Sequence, residues 1–230
     1  TRCARRSDFG FDNFRMKTDP ESFIRANTAL GSPPHVPEIR LHLADEAHDL
    51  WLKTEDELDA LGLPPPFWAF AWAGGQGLAR HILDNPDLVK GKSVLDFASG
   101  SGLVAIAAKR AGALRVSAAD IDPWSATAAR LNAQANDVEF EVSQSNLVGT
   151  DRGWDVVLAG DVFYDQAMTT LILPWFSSLA QRGAMVLIGD PGRSYCPREG
   201  VQLLATYQVP VTRALEDSEI KRTSVFRFTA

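Results

Sequence analysis

The sequence predicts an α/β chain built on a doubly wound, mostly parallel sheet that is finished by an antiparallel hairpin. Three observations predict it. From residue 93 onward, short apolar segments alternate with helix-length amphipathic ones, the rhythm of right-handed strand–helix–strand crossovers. Val94-Leu95-Asp96-Phe97-Ala98-Ser99-Gly100-Ser101-Gly102 runs an apolar strand directly into a glycine turn that opens a helix. Residues 207–212 and 224–228 then read as two strands with a charged turn region between them and no helix, which breaks the parallel rhythm.

In chain order, residues 1–36 form a weakly specified lead-in holding one helix, 20–30. Asp19-Pro20-Glu21 starts it with an acidic cap and a proline at the first helical position, and Gly31-Ser32-Pro33-Pro34 stops it. Residues 37–43 alternate apolar and polar, an accessory strand. Thr54-Glu55-Asp56-Glu57 has the form of a capping box, predicting a short helix to Leu61 that ends at Gly62, with a solvated acidic face. Residues 64–75 are too rich in Pro, Gly and aromatics for regular structure yet too apolar for a linker, so they are expected to lie over a pocket. A helix follows over 76–83. Strands are expected at 93–97, 115–119, 139–142, 155–159 and 184–189, and helices at 103–111, 124–136 and 167–182. The expected organisation is an N-terminal extension, 1–75, packed on one domain, 76–230.

Composition narrows the function. Of 230 residues 45% are apolar and 23% charged, ordinary for a globular chain, and the net charge is −6. That balance carries no electrostatic footprint for nucleic acid. No apolar run approaches the roughly 18 residues that a membrane span needs. Cys3 and Cys196 read as two free thiols in a reducing compartment, a bacterial cytoplasm or a mitochondrial matrix. The four histidines show no ligand spacing, so no metal site is expected. The opening seven residues are basic but too short for a transit peptide, and they lack an initiator Met, as a trimmed N-terminus would.

The glycine turn is the first candidate site. Its glycines let the backbone turn tightly and come close to a ligand. Gly100 and Gly102 with Ala105 also come near the dinucleotide pattern, so an NAD-linked oxidoreductase stays open. Asp96 argues against it, because an acid just before the turn is unwelcome beside a pyrophosphate. An acid suits a sulfonium donor with an α-ammonium, that is, S-adenosylmethionine. Asp120 follows about 24 positions after Asp96 at the end of the next strand, near the spacing of a ribose-binding carboxylate. Ile121 would then lie on the adenine, Asp122 would cap the helix beginning at Pro123, and Asn146 offers an amide to the base edge.

These residues resemble the seven-β-strand protein lysine methyltransferases. The further pieces are Phe67-Trp68-Ala69-Phe70-Ala71-Trp72-Ala73-Gly74-Gly75-Gln76, Asp161-Val162-Phe163-Tyr164-Asp165 after the fourth strand, and Ile188-Gly189-Asp190-Pro191-Gly192-Arg193 after the fifth. The resemblance implies a Rossmann-like, seven-stranded class I methyltransferase sheet that uses S-adenosylmethionine. It implies a cofactor set of Trp72 closing over the ligand, Asp96, Ala98, Gly100 and Gly102 at the methionine end, Asp120 at the ribose, and Gly160. It further implies Asp161 and Tyr164 beside the target amine. From the residues themselves, Trp68 and Tyr164 read as aromatic walls for a cationic amine, and Arg193 as steering an acidic patch on the partner. The aromatic stretch and the Gly-Asp-Pro-Gly-Arg loop are similar to members that act on the β subunit of electron transfer flavoprotein; a ribosomal protein is the alternative protein target. One departure is visible, Ala98 in place of the first glycine of the usual turn, tolerable at negative φ and strained at positive φ. A bland reading of the residues makes Asp161 a cap of the following helix and Tyr164 a packed ring. A small-molecule N-methyltransferase would use the same cofactor residues.

Overall fold

A computed structural model describes residues 19–44, 65–211 and 218–229. The expected capping box and helix at 54–62 lie outside these residues, as does Cys3. Helix α1 (Pro20–Asn27) is capped by Asp19, whose carboxylate accepts from the Ser22 amide at 2.9 Å, with Pro20 at its first position. It stops three residues short of the expected 20–30. Thr28 turns to extended backbone (φ −135°), and Ala29–Gly31 becomes strand β1, paired antiparallel with β2 (Leu41–Leu43). Tertiary pairing overrides the helical propensity of Ala29 and Leu30 here.

Helix α2 (Ala73–Asp84) begins inside the stretch read as irregular, after a single 3-10 turn over Phe67–Ala69. Then β3 (Ser93–Phe97), α3 (Leu103–Arg110), β4 (Arg115–Ala119), α4 (Pro123–Ala135), β5 (Glu141–Ser143), β6 (Val156–Gly160), α5 (Gln166–Gln181) and β7 (Met185–Asp190) alternate as expected. The chain finishes with β8 (Val201–Pro210) and β9 (Ile220–Phe228). The seven-stranded sheet has the order β5-β4-β3-β6-β7-β9-β8; β3 to β7 run parallel, and β9 is antiparallel to both neighbours. Strand β8 starts at Val201, six residues ahead of the expectation. It is an edge strand with a register shift between Leu203 and Ala205, so its exposed residues do not alternate cleanly.

Alternation along the central strands builds a core on each face. Val94 and Val156 face α2 and α3, with Leu78, Ile82 and Ile106, whereas Leu95, Phe97 and Val157 face α5, with Ile172, Trp175 and Phe176. Val36, Ile39 and Leu41 are fully buried in the first of these cores, so the N-terminal segment is part of the fold. Each such side chain contributes about 2 kcal/mol. Two asparagines, Asn132 of α4 and Asn136 at its C-cap, hold the segment's backbone: Asn132 Oδ1 accepts from the His42 amide at 2.7 Å, and Asn136 bonds both the amide and the carbonyl of Arg40. The strand order reverses between β3 and β6, which opens a crevice at their carboxyl ends where ligands of such sheets bind.

Candidate active site

Strand β3 delivers the turn 98–102 to this crevice. Gly102 must be glycine: its φ is +77°, and a Cβ there would lie 3.0 Å from the Ala129 Cβ. Gly100 (φ +50°) faces open space. Ala98 has φ +52°, so the strained alternative is the one adopted, at a cost of about 1 kcal/mol. Asp96 is 1% exposed, and its Oδ2 accepts from the Ala105 amide at 2.8 Å. Burial, with the nearby Asp120 charge adding, pushes its carboxyl up to about 8, so it holds a proton at neutral pH.

At the end of β4, Asp120 Oδ2 accepts from the Gly100 amide at 2.9 Å and Oδ1 from the Asp122 amide at 3.0 Å. Burial raises its pKa above the ordinary carboxylate value. Asp122 caps α4 through the amides of Trp124 and Ser125, as its local sequence predicts.

At the end of β6, Asp161 is buried with φ +58°. Its Oδ2 accepts from the amides of Gly74 and Gly75 (3.2 Å for the latter), the second and third residues of α2. The helix lacks a side-chain cap from Trp72, so Asp161 supplies one from across the fold. The following helix, α5, is capped by Asp165. Gly74 is required, since a Cβ would come within 2.5 Å of Asp161 Oδ2. Asp161 Oδ1 accepts from Arg193 Nε at 2.9 Å and Nη2 at 2.7 Å. Asp190 Oδ1 sets the Arg193 turn by accepting from the amides of Gly192 and Arg193, and the guanidinium lies 5.9 Å from the Trp72 ring centroid.

These ends bound a cleft of about 500 Å³, walled by Phe67, Trp72, Asp120, Ile121, Asp161, Tyr164, Arg193 and their neighbours. A recess of about 50 Å³ joins it along Trp72, Ala98, Gly100 and Gly160, and Asp96 and Ser99 line the recess. Burial raises the Tyr164 hydroxyl pKa, with Asp120 and Asp165 adding, though the ring is 53% exposed.

Three expected residues are not brought to the cleft. Trp68 is 2% exposed and stacks on Trp124 at 6.2 Å; within one 3-10 turn adjacent residues point about 120° apart, so Phe67 faces the cleft and Trp68 the core. Asn146 sits in an exposed loop, its Oδ1 accepting from the Val148 amide at 3.1 Å, and Gly102 packs against α4. Arg193, expected to reach outward, is turned onto Asp161. Residues that the sequence did not single out are Phe67, the Gly74 and Gly75 amides, Ser99 and Met168. The signal for the glycines was their pairing at a helix start beneath an aromatic run.

A family model for ribosomal protein L11 methyltransferase (PrmA) matches residues 79–189, from α2 to β7. The chain is 39% identical to an electron transfer flavoprotein beta subunit lysine methyltransferase of Xenopus laevis, covering 92% of this chain and 87% of that one. It is 36% identical to the Homo sapiens protein of the same name, over 91% and 83%. Among solved structures, a ribosomal protein L11 methylase from Lactobacillus delbrueckii subsp. bulgaricus superposes with TM-score 0.50 at 21% identity, covering 70% of this chain and 81% of that one. A magnesium protoporphyrin IX methyltransferase from Synechocystis with bound SAH does so with TM-score 0.50 at 18% identity, over 67% and 81%. Both carry the same fold.

Proposed function

Because the chain belongs to the family of electron transfer flavoprotein beta subunit lysine methyltransferases, we propose that it transfers methyl groups from S-adenosylmethionine to a lysine of that β subunit. The observation that carries this reading is the lining of the cleft. Three carboxylates, Asp120, Asp122 and Asp161, and three rings, Phe67, Trp72 and Tyr164, surround one space, which suits a cationic donor and a cationic acceptor.

The residues fit the cofactor. Asp120 spends one acceptor site of each oxygen on a backbone amide, which leaves about two for ribose hydroxyls. The recess is floored by a carboxyl that burial keeps protonated until a cation arrives, and the buried Ser99 Oγ has no hydrogen-bond partner among the described residues. Asp96 and Ser99 would hold the amino-acid end, and Asp120 and Ile121 the nucleoside. The bound cofactor supplies an electrophilic methyl on a positively charged sulfur.

The protein's work is to position and deprotonate the amine. A lysine side chain has an ordinary pKa of about 10.4, so it arrives protonated and without a lone pair. In this reading Asp161 holds that ammonium and accepts its proton, directly or through water. Trp72, Phe67 and Tyr164 form the walls that exclude water and align the nitrogen with the methyl. The test is intact mass of electron transfer flavoprotein after incubation with this chain and S-adenosylmethionine. Added methyl masses on the β subunit support the reading. No gain, with cofactor binding measured separately, moves the target elsewhere; ribosomal protein L11 is the control substrate.

A further inference from the structure

The acceptor capacity of Asp161 is fully used. An ionised carboxylate offers about four lone-pair sites. The amides of Gly74 and Gly75 take those of Oδ2, while Arg193 Nε and Nη2 converge on Oδ1 at 2.9 and 2.7 Å. An ammonium arriving at Asp161 must therefore replace a donor already there. The two amides belong to the first turn of α2 and cannot leave without unwinding it. Arg193 is a long side chain on a loop, 22% exposed, held at its root by the Asp190 turn.

Its surroundings are those that an ammonium seeks. The guanidinium lies between a buried carboxylate oxygen and the Trp72 ring, and it is the one basic side chain among the described residues lining the cleft. Resting on the lysine-methylating reading above, we propose that the Arg193 guanidinium occupies the amine subsite and that the target lysine displaces it from Asp161 Oδ1. The exchange trades one cation for another, so the Asp161 charge stays compensated throughout. Afterwards the ammonium transfers a proton to Oδ1 or to water and keeps the nitrogen electron pair, which would form the new bond to the methyl carbon as that carbon's bond to the donor sulfur breaks, the electron pair of the broken bond staying on sulfur and S-adenosylhomocysteine leaving. A cation that cannot lose its proton thus guards the subsite of one that must.

The test is Arg193→Ala in the whole chain, assayed for methylation of the protein substrate with and without ethylguanidinium. Displacement predicts a KM for the protein substrate lower by about fivefold, the scale of a partly exposed ion pair. Ethylguanidinium then inhibits the variant in competition with the protein substrate. A fixed positioning role predicts the opposite: kcat falls, KM holds, and ethylguanidinium restores kcat. That result overturns the proposal. Should Arg193→Ala fail to fold, Arg193→Lys replaces the fork with a single donor head; a smaller fall in KM supports displacement, and a fall in kcat alone overturns it. A wild-type chain that methylates no lysine overturns the functional reading and this proposal with it, whereas an active wild type with rescued kcat overturns this proposal alone.

Discussion

The Gly74 amide donates to Asp161 Oδ2 across 87 positions of sequence, so the acid proposed to hold the target amine also closes the first turn of α2. Two roles on one carboxylate make its substitutions separable. Asp161→Ala removes the cap and strands Arg193, lowering stability by about 2 kcal/mol. Asp161→Asn keeps an acceptor for α2 and is expected to stay within about 1 kcal/mol of wild type, while methyl transfer drops by about a hundredfold or more. Urea denaturation beside turnover separates the two; equal stability loss in both variants would remove the capping role.

Asp96 ties stability to pH. In the folded chain burial pushes its pKa up to about 8, whereas the unfolded chain returns it to about 3.9. Between those values the folded state binds the extra proton, so stability falls as pH rises through the window, by up to about 1.4 kcal/mol per pH unit. Asp96→Asn, which keeps an acceptor for the Ala105 amide, should flatten that dependence in urea unfolding. Cofactor binding at neutral pH should release a proton, read by calorimetry in buffers of different ionisation enthalpy. No release would place the cationic end away from Asp96.

Asp120→Ala tests the ribose assignment. Loss of two hydroxyl partners on a charged acceptor should weaken S-adenosylhomocysteine by about thirtyfold. An unchanged dissociation constant would take Asp120 out of the cofactor site and leave it only its bonds to Gly100 and Asp122.

Ala98 and Ala105 should respond with opposite signs to glycine. At φ +52°, Ala98→Gly relieves left-handed strain and raises stability by about 0.5 kcal/mol, net of the added freedom of the unfolded chain. Within α3, Ala105→Gly costs about 1 kcal/mol. Paired thermal melts check the contrast, and a loss at both positions would refute the strain.

Neighbouring aromatics should also part company. Trp68→Ala empties a core position and costs about 3–5 kcal/mol, with its effect on activity following stability. Phe67→Ala should leave the melting point nearly unchanged and raise KM for the protein substrate. A KM effect at Trp68 without lost stability would restore it to the substrate wall.

Much of the frame was legible in the residues. Strands β3 and β4 begin and end where the apolar runs do, because glycine, aspartate and proline punctuate them within a few positions. Asp19 and Asp122 cap the helices that their local sequence announces. Asp120 could be placed at the cleft because the end of a parallel strand is itself a spatial address. The edge strand β8 was underestimated because one face of an edge pairs with nothing and a bulge breaks its period.

Periodicity, caps and turn residues act over a few positions, and they determined the order of elements, the crevice and the acids at its rim. What only the tertiary structure decided is which side chains meet there. The sign of φ at Ala98, the choice of Phe67 over Trp68, and the capture of Asp161 by Gly74 and Arg193 depend on how α2 and the loop after β7 settle on the sheet. Those contacts join segments tens of residues apart, and no local pattern encodes the packing that brings them within hydrogen-bonding distance.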